Sequence, residues 1–380
     1  MVIILSCGLA SVIGVGMWFR NDSHTPSSPA PSQSTSPFTT RHPSAAQITP
    51  PMSGPLKKAC GNLYEFICKD NALDEDPTGT VRSDEEGEKQ AHEIYQEIIK
   101  AHPDWNTATI DEEFVQRVFN PQSRARIQTA FYWVKRTLRQ WIERQPQSIF
   151  TVQEKTQLKD QIRRVELIIP PPATLYENEP DLLTKTELFY ERKADGGQVV
   201  RVGGGYVLMA KSWFNVVFSL AHELGHSIDP CEIRSLGLSF PAYDRLVACL
   251  MEQKLVTLRA NRTECGRNDQ LSETFADWIA VQVTTDTLHT YAGRLQPVQL
   301  QHAARNSVKD LCDKDFEHPD PQELETYPSA KVRIEAIFGQ NPKIRQFLGC
   351  EDHVNSMTYC TLLPRPYHPK GIPYESQKPL

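Results

Sequence analysis

At 380 residues the chain is long enough for one large domain or two ordinary ones, with ample core. A formal net charge of −6 gives no electrostatic reason to seek a nucleic-acid partner. Nine cysteines are many for a reducing compartment, and they do not cluster as zinc-binding CxxC pairs.

Residues 1–20 carry an uncharged, mostly apolar run from Met1 to Phe19, close to the minimum that spans a bilayer. The run fits either a signal anchor or a signal peptide. Arg20 on its far side opposes export by the positive-inside rule. The cysteines outweigh that objection. Setting aside Cys7 leaves Cys60, Cys68, Cys231, Cys249, Cys265, Cys312, Cys350 and Cys360, a set that predicts up to four disulfides and an oxidising compartment. The protein is therefore expected on the extracellular or periplasmic side, secreted or held by a single-pass N-terminal tether.

Residues 21–56 are rich in Ser, Thr and Pro with almost no large apolar side chain, a composition that cannot bury enough surface to fold and predicts a disordered stalk. Asn21-Asp22-Ser23 and Asn261-Arg262-Thr263 are glycosylation sequons. Ordered structure is expected from about Lys57. Residues 83–169 read as helical: Ser83 with Glu86 and Thr151 with Glu154 are capping-box pairs. Between them Ile127, Ala130, Phe131, Val134, Leu138 and Trp141 recur at helical spacing and predict a core face. The interleaved Arg124, Arg126, Lys135, Arg136 and Arg139 read as a solvated face in a net-acidic chain. Pro170, Pro171 and Pro172 end the helical region.

Strand-like sequence follows. Glu187 to Arg192 and Gln198 to Val202 flank Ala194-Asp195-Gly196-Gly197, a hairpin-turn signature. Gly203 to Gly205 lead into Tyr206 to Ala210, expected as a further strand whose edge could pair with an extended peptide. The glycines lack the spacing of a phosphate loop.

The chemistry is concentrated between Ser212 and Pro230. An apolar run with Ser212 as N-cap and Pro230 as stop predicts a buried helix carrying His222-Glu223-Leu224-Gly225-His226, an HExxH sequence. Positions four apart share a helix face, so His222 and His226 can hold one zinc ion, with Glu223 beside them to take a proton from water. The bland alternative is a pair of histidines on an ordinary core helix. The metzincin arrangement requires a glycine and a histidine where this chain has Asp229 and Glu232. The best third ligand is Glu273 in Leu271-Ser272-Glu273-Thr274-Phe275-Ala276-Asp277. There Ser272 can cap a helix, and Asp277, one turn on, can accept the second ring N–H of a metal histidine. His289, His302 and His318 are alternative ligands that read as surface histidines.

These segments resemble the neprilysin and endothelin-converting-enzyme family of zinc peptidases. His222 to Asp229 (HELGHSID) is similar to the family's HExxHGFD, and Glu273 to Asp277 (ETFAD) to its ExxxD. Cys60 to Cys68 (CGNLYEFIC) resembles its C-x-x-F-Y-x-[YF]-x-C, and Tyr327 to Arg333 its HSPxxxR. Phe347 to Cys350 with Met357 and Cys360 looks like its closing cysteine pair. The likeness covers roughly the last half of the chain and a short N-terminal piece.

The resemblance implies an α+β, mostly helical, thermolysin-like (gluzincin) catalytic domain over 201–365, a reduced helical lid over 57–200 and a tail over 366–380. It implies one zinc ion on His222, His226 and Glu273, with Glu223 as general base, Asp277 orienting a zinc histidine and Arg333 binding a substrate carbonyl. Tyr327 stands where the family has an oxyanion-steadying histidine. No Asn-Ala-(Tyr/Phe) substrate clamp is found, and Gly205 to Ala210 supply at most the strand. The implied pairings are Cys60 with Cys350, Cys68 with Cys312 and Cys249 with Cys360, which leaves Cys231 to bridge Cys265. The expected function is zinc-dependent endopeptidase action on peptide or protein substrates. The alternative is a catalytically impaired binding or scaffold protein that retains structural zinc.

Overall fold

A computed structural model describes residues 60–69, 84–173, 180–209, 212–253, 270–314, 327–350 and 359–363. All belong to the compact unit Met52–Leu380; the other unit, Met1–Pro51, lies outside them. The expected leader, both sequons, His318, Cys265 and the tail also lie outside the described residues. Among the described residues no helix is long and apolar enough to cross a membrane.

The chain winds through helices whose starts are set by polar caps. Asn62 caps α1 (Leu63–Cys68), accepting from the Glu65 N–H. After α2 (Asp84–Ala101), Asn106 caps α3 (Thr107–Val118), and Asn120, with Pro121 in the first turn, caps α4 (Pro121–Arg144). Thr151 and Glu154 form the expected capping box at the head of α5 (Val152–Arg164). Ser83, of the other expected pair, lies outside the described residues. All six apolar positions expected on the core face of α4 are buried.

Two expectations for this region need correction. Val165–Ile168 is strand β1 and not the end of a helix. Its β-branched Val165 and Ile168 are stiff at χ1, and the segment pairs in parallel with a later strand, a long-range gain that local periodicity does not register. The basic residues are also not simply solvated. Arg136 and Arg139 are exposed. Arg126 Nη2 donates to the Val207 carbonyl at 3.0 Å, and Lys135 Nζ to the Arg163 and Val165 carbonyls at 2.9 and 2.7 Å.

The hairpin forms as expected from β2 (Leu188–Arg192) and β3 (Gln198–Val202). The described sheet runs in the order β1-β3-β2, with β3 central, parallel to β1 and antiparallel to β2. Central β3 is buried along nearly all its length, which its Val-rich sequence suits. Among the described residues β2 is an edge of this sheet.

The next segment is helix α6 (Gly204–Met209), not the expected strand. A Cβ on Gly204 would stand 2.0 Å from the Leu183 carbonyl oxygen. Only glycine lets the chain turn tightly there, and the apolar run then coils instead of extending. This moves the sheet edge nearest the candidate site from Gly205–Ala210 to β2.

Beyond α7 (Trp213–His226) come α8 (Pro230–Ser235), α9 (Pro241–Glu252), α10 (Gln270–Tyr291) and α11 (Pro297–Asn306). A 3-10 turn, Lys309–Lys314, a short helical turn, Ala330–Val332, continuing as the π-helical segment Arg333–Phe338, and α12 (Pro342–Phe347) follow. Helix α10 is buried on nearly all sides and packs most extensively on α7. Residues on both sides of position 200, such as Val134 of α4 and Val217 of α7, share one continuous core.

Three of the implied disulfides are present: Cys60–Cys350, Cys68–Cys312 and Cys249–Cys360. They tie chain segments 290, 244 and 111 residues apart. Each is worth about 2–5 kcal/mol by restricting the unfolded chain. Cys231 is disulfide-bonded as well. Buried Arg305 adds a polar tie, donating through Nε and Nη2 to the Ile67 carbonyl of α1.

Candidate metal centre

Helix α7 owes its burial to Phe214, Val216, Val217, Phe218, Leu220, Ala221 and Leu224, an apolar run broken by Asn215 and Ser219 before the polar residues of its last turns. Ser212 takes the N-cap position without a side-chain cap bond, and Ser227 closes the helix. Pro230 does not merely stop α7; it is the first residue of α8, which Asp229 caps through the Cys231 and Glu232 N–H groups.

Helix α10 crosses α7 at Gly225. A Cβ there would lie 3.0 Å from Cα of Ala276, so the backbones approach closely where neither carries a large side chain. The crossing places His222 and His226 opposite Glu273 and Asp277. One ligand atom from each of His222, His226 and Glu273 falls within 4.8 Å of the others.

The donor set fits a metal ion. Nδ1 of His222 lies 2.9 Å from Asp277 Oδ1, so the ring donates there and turns Nε2 toward Glu273 Oε2, 3.0 Å away. Nδ1 of His226 lies 3.1 Å from Ser272 Oγ, and the two Nε2 atoms face each other at 3.3 Å. Both imidazoles are thus held in the tautomer that offers Nε2 to a cation, with a carboxylate beside them. In the metal-free centre, burial alone pushes His222 down. The Asp277 and Glu273 hydrogen bonds and charges outweigh it and hold the imidazolium up to about 10. Glu273 shows the converse: burial raises it, but His222 and His226 bring it below the usual carboxylate range.

Asp277 is almost fully enclosed and forms a fork with Arg333, whose Nε reaches Oδ2 at 2.7 Å and Nη2 reaches Oδ1 at 2.8 Å. Burial opposes ionisation of Asp277, and Arg333 and His222 more than reverse it. Arg333 was expected to address substrate; two of its nitrogens are engaged with Asp277, so it works at least in part through that carboxylate. Its guanidinium also sits 5.4 Å from the centre of the Tyr327 ring. Burial and the Glu273 and Glu223 carboxylates raise Tyr327, so its phenol stays protonated and able to donate.

Glu223 sits beside the histidines, with Oε2 accepting the Tyr190 N–H of β2 at 2.7 Å. Burial raises its pKa, and His222 and His226 draw it back. The edge strand therefore touches the candidate base directly.

Ser272 is not the expected N-cap. Helix α10 already includes Gln270, and the Ser272 hydroxyl donates to Asp229 Oδ2 at 2.5 Å while taking the His226 Nδ1–H. Asp229 and Ser272 thus orient His226 as Asp277 orients His222. Sequence reasoning missed this relay, although Asp229, one turn past His226, was within the quoted motif. His302 also departs from expectation: it is buried in α11, because that helix is enclosed along much of its length, whereas His289 is exposed. Neither joins the ligand group.

No protein-family model matches the chain, and no curated protein is significantly similar to it.

Proposed function

We propose that the chain is a neprilysin-like zinc metallopeptidase, an exported gluzincin with a thermolysin-like catalytic architecture. The observation that carries this reading is the convergence of His222, His226 and Glu273 beside Glu223 and an edge strand. Two imidazoles and a carboxylate are the set that catalytic zinc takes in hydrolases of this kind. The disulfides support an oxidising compartment. When bound, zinc supplies Lewis-acid polarisation of a peptide carbonyl and acidifies an attacking water.

The chain's own residues do the rest. Glu223 takes the proton of the attacking water and returns it to the departing amine. Asp277 and the Ser272–Asp229 pair keep the two imidazoles in register, and Arg333 keeps Asp277 ionised. Tyr327, in place of a histidine, donates to the oxyanion that develops on the scissile carbonyl. β2 runs beside the centre as an edge to which an extended peptide can add.

The test is the zinc-loaded full chain against a mixed peptide library, read by mass spectrometry beside Glu223→Gln. Wild type should yield products, and the variant should bind zinc stoichiometrically without yielding them. Equal product from both removes the reading. Zinc without turnover in either leaves the scaffold alternative.

A further inference from the structure

Within the hairpin the Gly203 N–H bonds to the Glu187 carbonyl at 2.7 Å and the Lys193 N–H to the Gly197 carbonyl at 2.8 Å. In that register the peptide groups of Leu188, Tyr190 and Arg192 face away from β3. Their side chains share one face of the strand, since alternate residues point the same way. That face spans the candidate centre. Leu188 lines a recess that opens off His222 and Glu223, and the Tyr190 ring stacks on His226 with centroids 6.2 Å apart. Arg192 Nη1 donates to Glu232 Oε1 of α8.

Helix α8 thereby holds a metal histidine and the edge strand together. At its head, Asp229 Oδ2 accepts the Ser272 hydroxyl that meets His226, and Oδ1 accepts the Glu232 N–H at 2.8 Å. The Glu232 side chain then crosses to β2, where Oε1 receives Arg192 and lies 3.5 Å from the Tyr190 hydroxyl. Arg192 Nη1 also reaches Ser235 Oγ of α8 at 3.2 Å. The Glu232 side chain is 13% exposed and that of Arg192 32%, so water and salt screen this pair less than a surface ion pair. It stands at the end of β2, next to the exposed turn residues Ala194, Asp195 and Gly196.

Resting on the peptidase reading, we propose that Arg192 and Glu232 are positioning residues that pin β2 to α8. The backbone that receives an extended peptide is thereby kept in place beside His226 and Glu223. Neither residue touches the reacting atoms. A strand that swings away must return before a peptide can pair with it, which weakens apparent binding by the fraction of protein in the competent form. Once a peptide is bound the strand is in place with or without the pair, so the loss falls on KM and spares kcat.

The experiment takes a peptide that the zinc-saturated full chain cleaves and measures kcat and KM separately. It compares wild type with Glu232→Gln, Arg192→Gln and the exchange Arg192→Glu with Glu232→Arg. Each single variant should raise KM at least about fivefold, with kcat and zinc affinity within about twofold of wild type. The exchange should bring KM back to within about twofold of wild type. Amide exchange in β2, read by mass spectrometry, should quicken in the single variants while that of α7 holds. Unchanged KM, a loss confined to kcat or zinc affinity, unaltered amide exchange in β2, or an exchange variant no better than the singles overturns the proposal. Each of those results leaves the peptidase reading standing. Absence of cleavage by wild type removes that reading and this role together. Should the neutral variants fail to fold, Glu232→Asp, too short to keep the same contact, decides. KM at least about twofold above wild type with kcat held sustains the role, and wild-type KM overturns it.

Discussion

Gly225 and Ala276 bring two helices so close that a Cβ on the glycine would stand 3.0 Å from the alanine Cα and 3.3 Å from its carbonyl oxygen. That approach lets residues on α10 reach both imidazoles of α7, so the glycine within the HExxH sequence sets the span of the candidate metal centre. Gly225→Val should force the helices apart, costing about 1–3 kcal/mol as overpacking does. It should also weaken zinc binding. Thermal unfolding with and without zinc checks both, and an unchanged Tm with unchanged zinc affinity contradicts the packing argument.

Asp277→Asn keeps the size of the side chain but leaves the Arg333 guanidinium buried without its anion. Removing one member of a buried pair costs about 3–5 kcal/mol. Loss of the group that orients His222 should lower zinc affinity by about 10–100-fold. Arg333→Met with Asp277→Asn should recover part of the stability but not the affinity. That separation, measured by denaturant unfolding and zinc titration, distinguishes the structural cost from the orienting role.

Tyr327→Phe removes the proposed oxyanion donor and leaves the ligands untouched. Zinc stoichiometry and KM should hold while kcat falls by about 10²–10³-fold, as for loss of one such donor elsewhere. A variant as fast as wild type excludes Tyr327 from that role.

Protons and metal compete for the same centre. In the metal-free protein His222 is held up to about 10 against an ordinary 6.5. A raised folded-state value favours the protonated folded form. Its contribution to stability is therefore complete below about pH 6.5 and lost as pH rises through about 10. Chelated protein should lose this contribution across that window, whereas zinc affinity should rise over the same interval as the proton to be displaced becomes easier to remove. Unfolding and zinc titrations at several pH values test both signs. Zinc binding that weakens with rising pH refutes the competition.

Much of the centre was legible in the sequence because its chemistry is locally patterned. Helical spacing alone put His222 with His226 and Glu273 with Asp277, and the Thr151–Glu154 capping box and the apolar face of α4 followed from near-neighbour rules. The resemblance supplied the pairings Cys60–Cys350, Cys68–Cys312 and Cys249–Cys360 that the structure contains. What the sequence left open depends on partners far along the chain. Val165–Ile168 became a strand because β3 lies beside it. Tyr206 and its neighbours coiled because Gly204 meets the Leu183 carbonyl. Ser272 left the cap role for a relay with Asp229 and His226, and Arg333 turned toward Asp277. Periodicity reports which face of an element is apolar. Which backbone comes within 3 Å of another, and which buried donor then finds its acceptor, is decided only when the helices pack.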